Sequence, residues 1–118
     1  MANPNIVNVT AIYGNTVVQS VGTSMTTIVQ NSASSGQIYK VNTLSVTNAN
    51  TVATSVTLEL NQAGTNTAIA KTINVPPSSL IVLLAKDVGI YLLENNSLQL
   101  SAGLAGSITA ICSFEQLS

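Results

Sequence analysis

The feature that most constrains this chain is a repeat of two. Val56, Leu58 and Leu60 alternate with Thr57, Glu59 and Asn61. Side chains along a β-strand point to opposite faces in turn, so such a set buries its apolar half only as a strand with one dry and one wet face. The pattern recurs near the end of the chain, where Ile108, Ala110, Cys112 and Phe114 face one way and Thr109, Ser113 and Glu115 the other. Leu98 and Leu100 alternate with Ser97, Gln99 and Ser101. Helical spacing is nearly absent, and Gly, Asn, Thr and β-branched residues, which disfavour helix or favour strand, are spread throughout.

Further strands are expected over 6–13, 16–21, 26–30, 68–75, 80–84 and 90–93. Turn chemistry separates the strands at 14–15, 22–24, 31–36, 48–51, 63–66, 76–79, 94–96 and 103–106. The segment 37–47 breaks the rule of two. Tyr39 and Val41 fall on one face, Leu44 and Val46 on the other. A bulge near Asn42 and Thr43 reconciles them by re-aiming the strand; a strand covered on both faces is the alternative. Strands and turns at this spacing imply an all-β fold, an antiparallel β-sandwich of jelly-roll or Ig-like Greek-key type. No linker or shift in composition divides the 118 residues, so 1–118 is expected to form a single domain.

Composition narrows the function. Charged residues make up 6% of the chain, against roughly 25% in ordinary domains, and Ser, Thr and Asn fill roughly a third of it instead. Charge normally keeps copies of a protein apart, and this exterior has little of it. The only cations are Lys40, Lys71 and Lys86, far apart in sequence, and there is no Arg. Nucleic-acid binding and docking to anionic membranes both need clustered cations, so neither partner is expected.

The residues that carry chemistry are also missing. With no His, the commonest general base and metal ligand is absent, and Ser-His-Asp triads and Cys/His zinc sites are excluded. The acids Glu59, Asp87, Glu94 and Glu115 show no spacing that pairs them across a cleft. Asp87 and Glu94, with Asn95 and Asn96, offer oxygen ligands beside a loop, but match no calcium-loop spacing. Cys112 lies on the apolar face of its strand and reads as a small buried hydrophobe. Tyr13, Tyr39, Tyr91 and Phe114 are the aromatic residues; a sugar platform would need an exposed Tyr pair. Asn8-Val9-Thr10 and Asn95-Asn96-Ser97 match the glycosylation pattern, as chance allows in so Asn-rich a chain. No catalytic, metal or cofactor site is expected, and the chain reads as a non-enzyme. Met1-Ala2-Asn3-Pro4 opens no secretory leader, so synthesis in a cytoplasm is expected.

One set of stretches goes beyond pattern. It comprises Ile69-Ala70-Lys71-Thr72-Ile73-Asn74-Val75-Pro76, Leu84-Ala85-Lys86-Asp87-Val88-Gly89-Ile90-Tyr91-Leu92, Glu94-Asn95-Asn96-Ser97-Leu98-Gln99-Leu100-Ser101-Ala102 and the closing Ala110-Ile111-Cys112-Ser113-Phe114-Glu115. Together with Asn5-Ile6-Val7 and Ile12-Tyr13-Gly14, it resembles the small virion structural proteins of tailed bacteriophages, especially marine and cyanobacterial ones. Asn95-Asn96 departs from the Gly-Asp common there, and both pairs suit a tight turn. The resemblance implies a β-sandwich subunit on a virus particle, made in the host cytoplasm, with other virion proteins as partners and homo-oligomers expected. Decoration or cement of a capsid is the first expectation. A tail, neck or fibre position, with a receptor- or glycan-binding surface, is the alternative.

Overall fold

The computed structural model describes residues 10–85, 87 and 90–118. It contains nine strands: β1 (Ile12–Val21), β2 (Thr26–Asn31), β3 (Ile38–Asn48), β4 (Thr54–Gln62), β5 (Thr65–Val75), β6 (Ser79–Leu84), β7 (Ile90–Leu92), β8 (Asn96–Ala102) and β9 (Ile108–Leu117). They form two antiparallel sheets. The first has the order β1-β9-β3-β6, with β7 pairing β3 beyond the end of β6, and the second β2-β8-β4-β5.

The pairings nest. β4 pairs β5, β3 pairs β6 and β7, β2 pairs β8, and β1 pairs β9. The chain is thus one long antiparallel ribbon doubled at Ala63-Gly64, and successive pairs of the ribbon alternate between the sheets. Contacts of β9 with β3 and of β8 with β4 close each sheet. This is a jelly roll, which decides between the two sandwich topologies the sequence allows.

The turn that doubles the ribbon shows why it forms there. Gln62 pairs Thr65, leaving two residues in the loop, and both have positive φ, 53° at Ala63 and 96° at Gly64. That is the type I′ geometry whose twist matches the flanking strands. The turn is tighter than the expected 63–66, because the ladder reaches Thr65.

The core follows the rule of two. Val56 and Leu58 of β4, Leu98 and Leu100 of β8, Val41, Leu44 and Val46 of β3, and Ile108, Ala110, Cys112 and Phe114 of β9 are buried between the sheets. Each fully buried Leu or Val contributes roughly 1.5–3 kcal/mol of transfer free energy. Tyr39 stacks on Phe114 with ring centroids 5.1 Å apart, and its hydroxyl accepts a bond from Gln116 Nε2 at 3.0 Å.

The bulge expected in β3 is present. Val41 pairs Phe114 and Thr43 pairs Ser113, so Asn42 is the extra residue that lets Val41 and Leu44 both point inward. The break expected at Gly14-Asn15 is not. β1 runs unbroken from Ile12 to Val21, with Gly14 opposite Glu115 and Asn15 opposite Phe114. Pairing with β9 along its whole length outweighs the local turn preference of Gly-Asn. Residues 6–9 of the expected first strand, Lys86, and the Asn8 glycosylation match lie outside the described residues.

Candidate assembly surface

The sandwich keeps the candidate catalytic and ligand residues apart. Glu59 lies on the outward face of β4 opposite Gln99, in the second sheet. Glu115 lies on the outward face of β9 between Gly14 and Lys40, in the first sheet. Two layers of protein separate them. Asp87 is exposed in a turn. The Glu94 carboxylate accepts the Gly36 N–H at 2.6 Å, a bond that holds the loop after β2. Asn96 is buried. Among the described residues no group of three metal-ligating side chains converges, and no ligand-sized cleft opens. None of them forms a helix, so none offers a helix long and apolar enough to cross a membrane.

Cys112 is fully buried. Desolvation pushes its thiol up to about 11, so it stays protonated and unreactive at neutral pH. Of the aromatic residues, Tyr39 and Phe114 belong to the core, while Tyr13 and Tyr91 are exposed. Tyr13 lies in β1 opposite Gln116, and Tyr91 in β7 opposite the outward Lys40. β9 and β3 separate the two, which places them three strand spacings, roughly 14 Å, apart and on different faces. They do not form one sugar platform.

The structure does bring together an apolar surface that spacing along the chain does not reveal. On the outer face of the first sheet, Val18 of β1 lies opposite Ile111 of β9, Ile111 opposite Ser45 of β3, and Ser45 opposite Val82 of β6. The next row reads Ser20, Thr109, Thr47 and Leu80. The row on the other side reads Thr16, Ser113 and Thr43, where the Thr16 and Ser113 hydroxyls approach to 3.4 Å. These three rows carry methyl groups and hydroxyls and no charge. Val18, Ile111, Val82 and Leu80 are all exposed there. Charge returns only one row further, where Glu115 and Lys40 sit side by side. β1 and β9 contribute one apolar residue each and β6 two, so only the register assembles them. The sequence signal is slight: Ile111 is an apolar residue on the otherwise polar face of its strand.

The edges of the sheets differ. β5 is interrupted twice, at Ile69 and at Lys71-Thr72, where extra residues bulge from the ladder with β4. Thr72 has φ of 53°, and its N–H donates to Thr57 Oγ1 at 3.0 Å. β2 carries a bulge at Ile28. β6 is short and shifts register between Val82 and Leu84. Bulges, a lysine and short strands are the devices that stop an edge from recruiting another strand. β5 carries such devices, with Lys71 sitting in the second bulge itself. β1 carries none of them.

These observations define a class: a jelly-roll β-sandwich with an uncharged, partly apolar outer sheet face. No family model matches the chain, and no curated protein does. Among solved structures, the chain is similar to one from work on Bacillus endospore appendages, a family of disulfide-linked pili, with a TM-score of 0.55 and 16% identity, covering 92% of this chain and 87% of that one. A pentameric capsid protein from metagenomic phage sequences aligns with a TM-score of 0.39 and 17% identity over 87% of this chain and 60% of that one. The first likeness supports the fold.

Proposed function

We propose that the protein is a non-enzymatic structural subunit of a phage virion, a decoration or cement protein that docks on a capsid and on its own copies through strand edges and apolar faces. The observation that carries this reading is the outer face of the β1-β9-β3-β6 sheet, where three rows of side chains hold no charge and four large apolar residues are exposed. An exposed apolar surface without charge favours a partner over water. The sequence resemblance to small virion proteins supplies the particle. The pilus protein of similar fold assembles into disulfide-linked filaments. Here the single cysteine is buried in the core, so apolar contact and hydrogen bonding must hold the subunits instead.

The test is binding to particles. Purified protein is expected to co-sediment with capsids that lack it, and a map of decorated particles should show jelly-roll density on the shell. Density on the neck or tail alone would move the protein to the alternative placement. Failure to bind capsids or tails, under conditions in which other particle proteins bind, would remove the virion role.

A further inference from the structure

We infer that β1 is a self-association edge: two copies of this chain pair β1 against β1 across a two-fold axis, joining their first sheets into one continuous sheet. The inference rests on reading the protein as an assembly subunit, and it names the strand that does the assembling.

Two independent observations meet on β1. The first is its backbone. β1 is the end strand of its sheet, paired through all ten residues with β9 and without a register shift. Among the described residues, no backbone hydrogen bond from Ile12–Val21 reaches any strand but β9. Every second residue therefore presents its N–H and C=O outward, at ladder spacing. Water satisfies such a row group by group, and a second extended backbone satisfies it as a whole ladder. The strand holds no Pro and no charged residue.

The second observation is its side chains. The most exposed large apolar residues described are Val18, Tyr13 and Ile12, at 65, 61 and 60%, ahead of Val52 and Leu80, both at 56%. All three lie on this one strand, and a strand added beside it would cover part of each.

The same comparison selects the occupant. The remaining edges are bulged in β5 and β2 and short in β6, so none offers a straight ten-residue ladder to match. A second β1 does. An antiparallel edge is self-complementary under two-fold symmetry, the commonest symmetry of homodimers. For the outer faces to coincide, even-numbered positions must meet even-numbered ones. The apolar row through Val18 then continues into the second copy.

The test combines equilibrium sedimentation with crosslinking. Wild-type protein is expected to dimerise. Val18→Lys and Thr16→Lys, both on the wet face of β1, should raise the dimer dissociation constant at least tenfold, while Val52→Lys, exposed in the loop between β3 and β4 and outside the apolar face, should change it less than threefold. Circular dichroism checks that each variant keeps its fold. In a set of variants with one added cysteine at Asn15, Thr16, Val17 or Val18, a short bis-maleimide should link one position strongly to itself, with Cys112 silent in the core. Dimers that ignore both lysines and crosslink only through cysteines placed at Leu80 or Val82 would overturn the β1 edge and leave the assembly reading standing. Protein that stays monomeric up to millimolar concentration would overturn the β1 edge too, and capsid binding would then decide the virion role separately.

Discussion

The side-chain amide of Asn31 donates to the carbonyl of Leu92 at 2.9 Å, joining the last residue of β2 in the second sheet to the last residue of β7 in the first. The other end of the sandwich repeats the device. Asn48 ends β3, and its amide donates to the carbonyl of Val75, which ends β5 in the opposite sheet, at 3.2 Å. Each asparagine also ties down the loop that follows it. Asn31 bonds Gln37 O and accepts from Ser35 Oγ, and Asn48 bonds Val52 O and accepts from Asn50 N–H. Both side chains are fully buried.

Replacing either asparagine with Leu strands these partners in a dry site. Each buried polar group left unpaired costs roughly 1–3 kcal/mol. Asn31→Leu and Asn48→Leu are each expected to lower stability by about 3 kcal/mol, read from urea unfolding with an unchanged m-value. A loss below about 1 kcal/mol would show that the loops relax to water instead.

Cys112 is expected to resist maleimide in the native protein and to react at once in denaturant. Burial pushes its folded pKa up from 9.0 to about 11. The unfolded thiol ionises first as pH rises, so the stability tied to the neutral buried form is whole below pH 9 and is lost between 9 and 11. Cys112→Ala should remove that part of the alkaline dependence, measured by chemical denaturation across this range.

The turn at Ala63 leaves stability unclaimed. An L-residue other than Asn, Asp or Gly in the left-handed region costs roughly 1 kcal/mol, and Ala63 has φ of 53°. Ala63→Asn is expected to raise stability by about 0.5–1 kcal/mol in thermal unfolding, because Asn-Gly is the preferred type I′ pair.

Thr72 pays more, as a β-branched residue at φ of 53° in the β5 bulge. Thr72→Gly should stabilise the fold by about 1 kcal/mol in urea, the relieved strain exceeding the flexibility glycine adds to the unfolded chain. A neutral result would mean that the Thr72 environment offsets the strain.

The sandwich was readable because alternation states which residues share a face: Val56 with Leu58, Ile108 with Cys112. The bulge at Asn42 was readable for the same reason, since Val41 and Leu44 cannot both be buried without an extra residue between them. The asparagine clamps were not. Asn31 and Asn48 sit in stretches that read as turns, and a side chain that bonds its own loop has the same local signature as one that also bonds the far sheet. The unbroken course of β1 was hidden by Gly14-Asn15, whose local preference yields to a partner strand near the other end of the sequence. The apolar row of the candidate surface was hidden because Val18, Ile111 and Val82 come from three strands, and only pairing sets them side by side.

The nesting of the ribbon also orders the cost of making it. Pairing β4 with β5 closes a two-residue turn, whereas pairing Ile12 with Leu117 closes almost the whole described chain. Loop-closure entropy rises with that separation, and chains dominated by distant pairings fold in milliseconds to seconds. The β1–β9 ladder spans the largest separation of the nested pairs and has the least help from neighbours in sequence. Until β1 docks, β9 offers the bare rim, and a nascent subunit beside a finished one meets two strands competing for the same ladder.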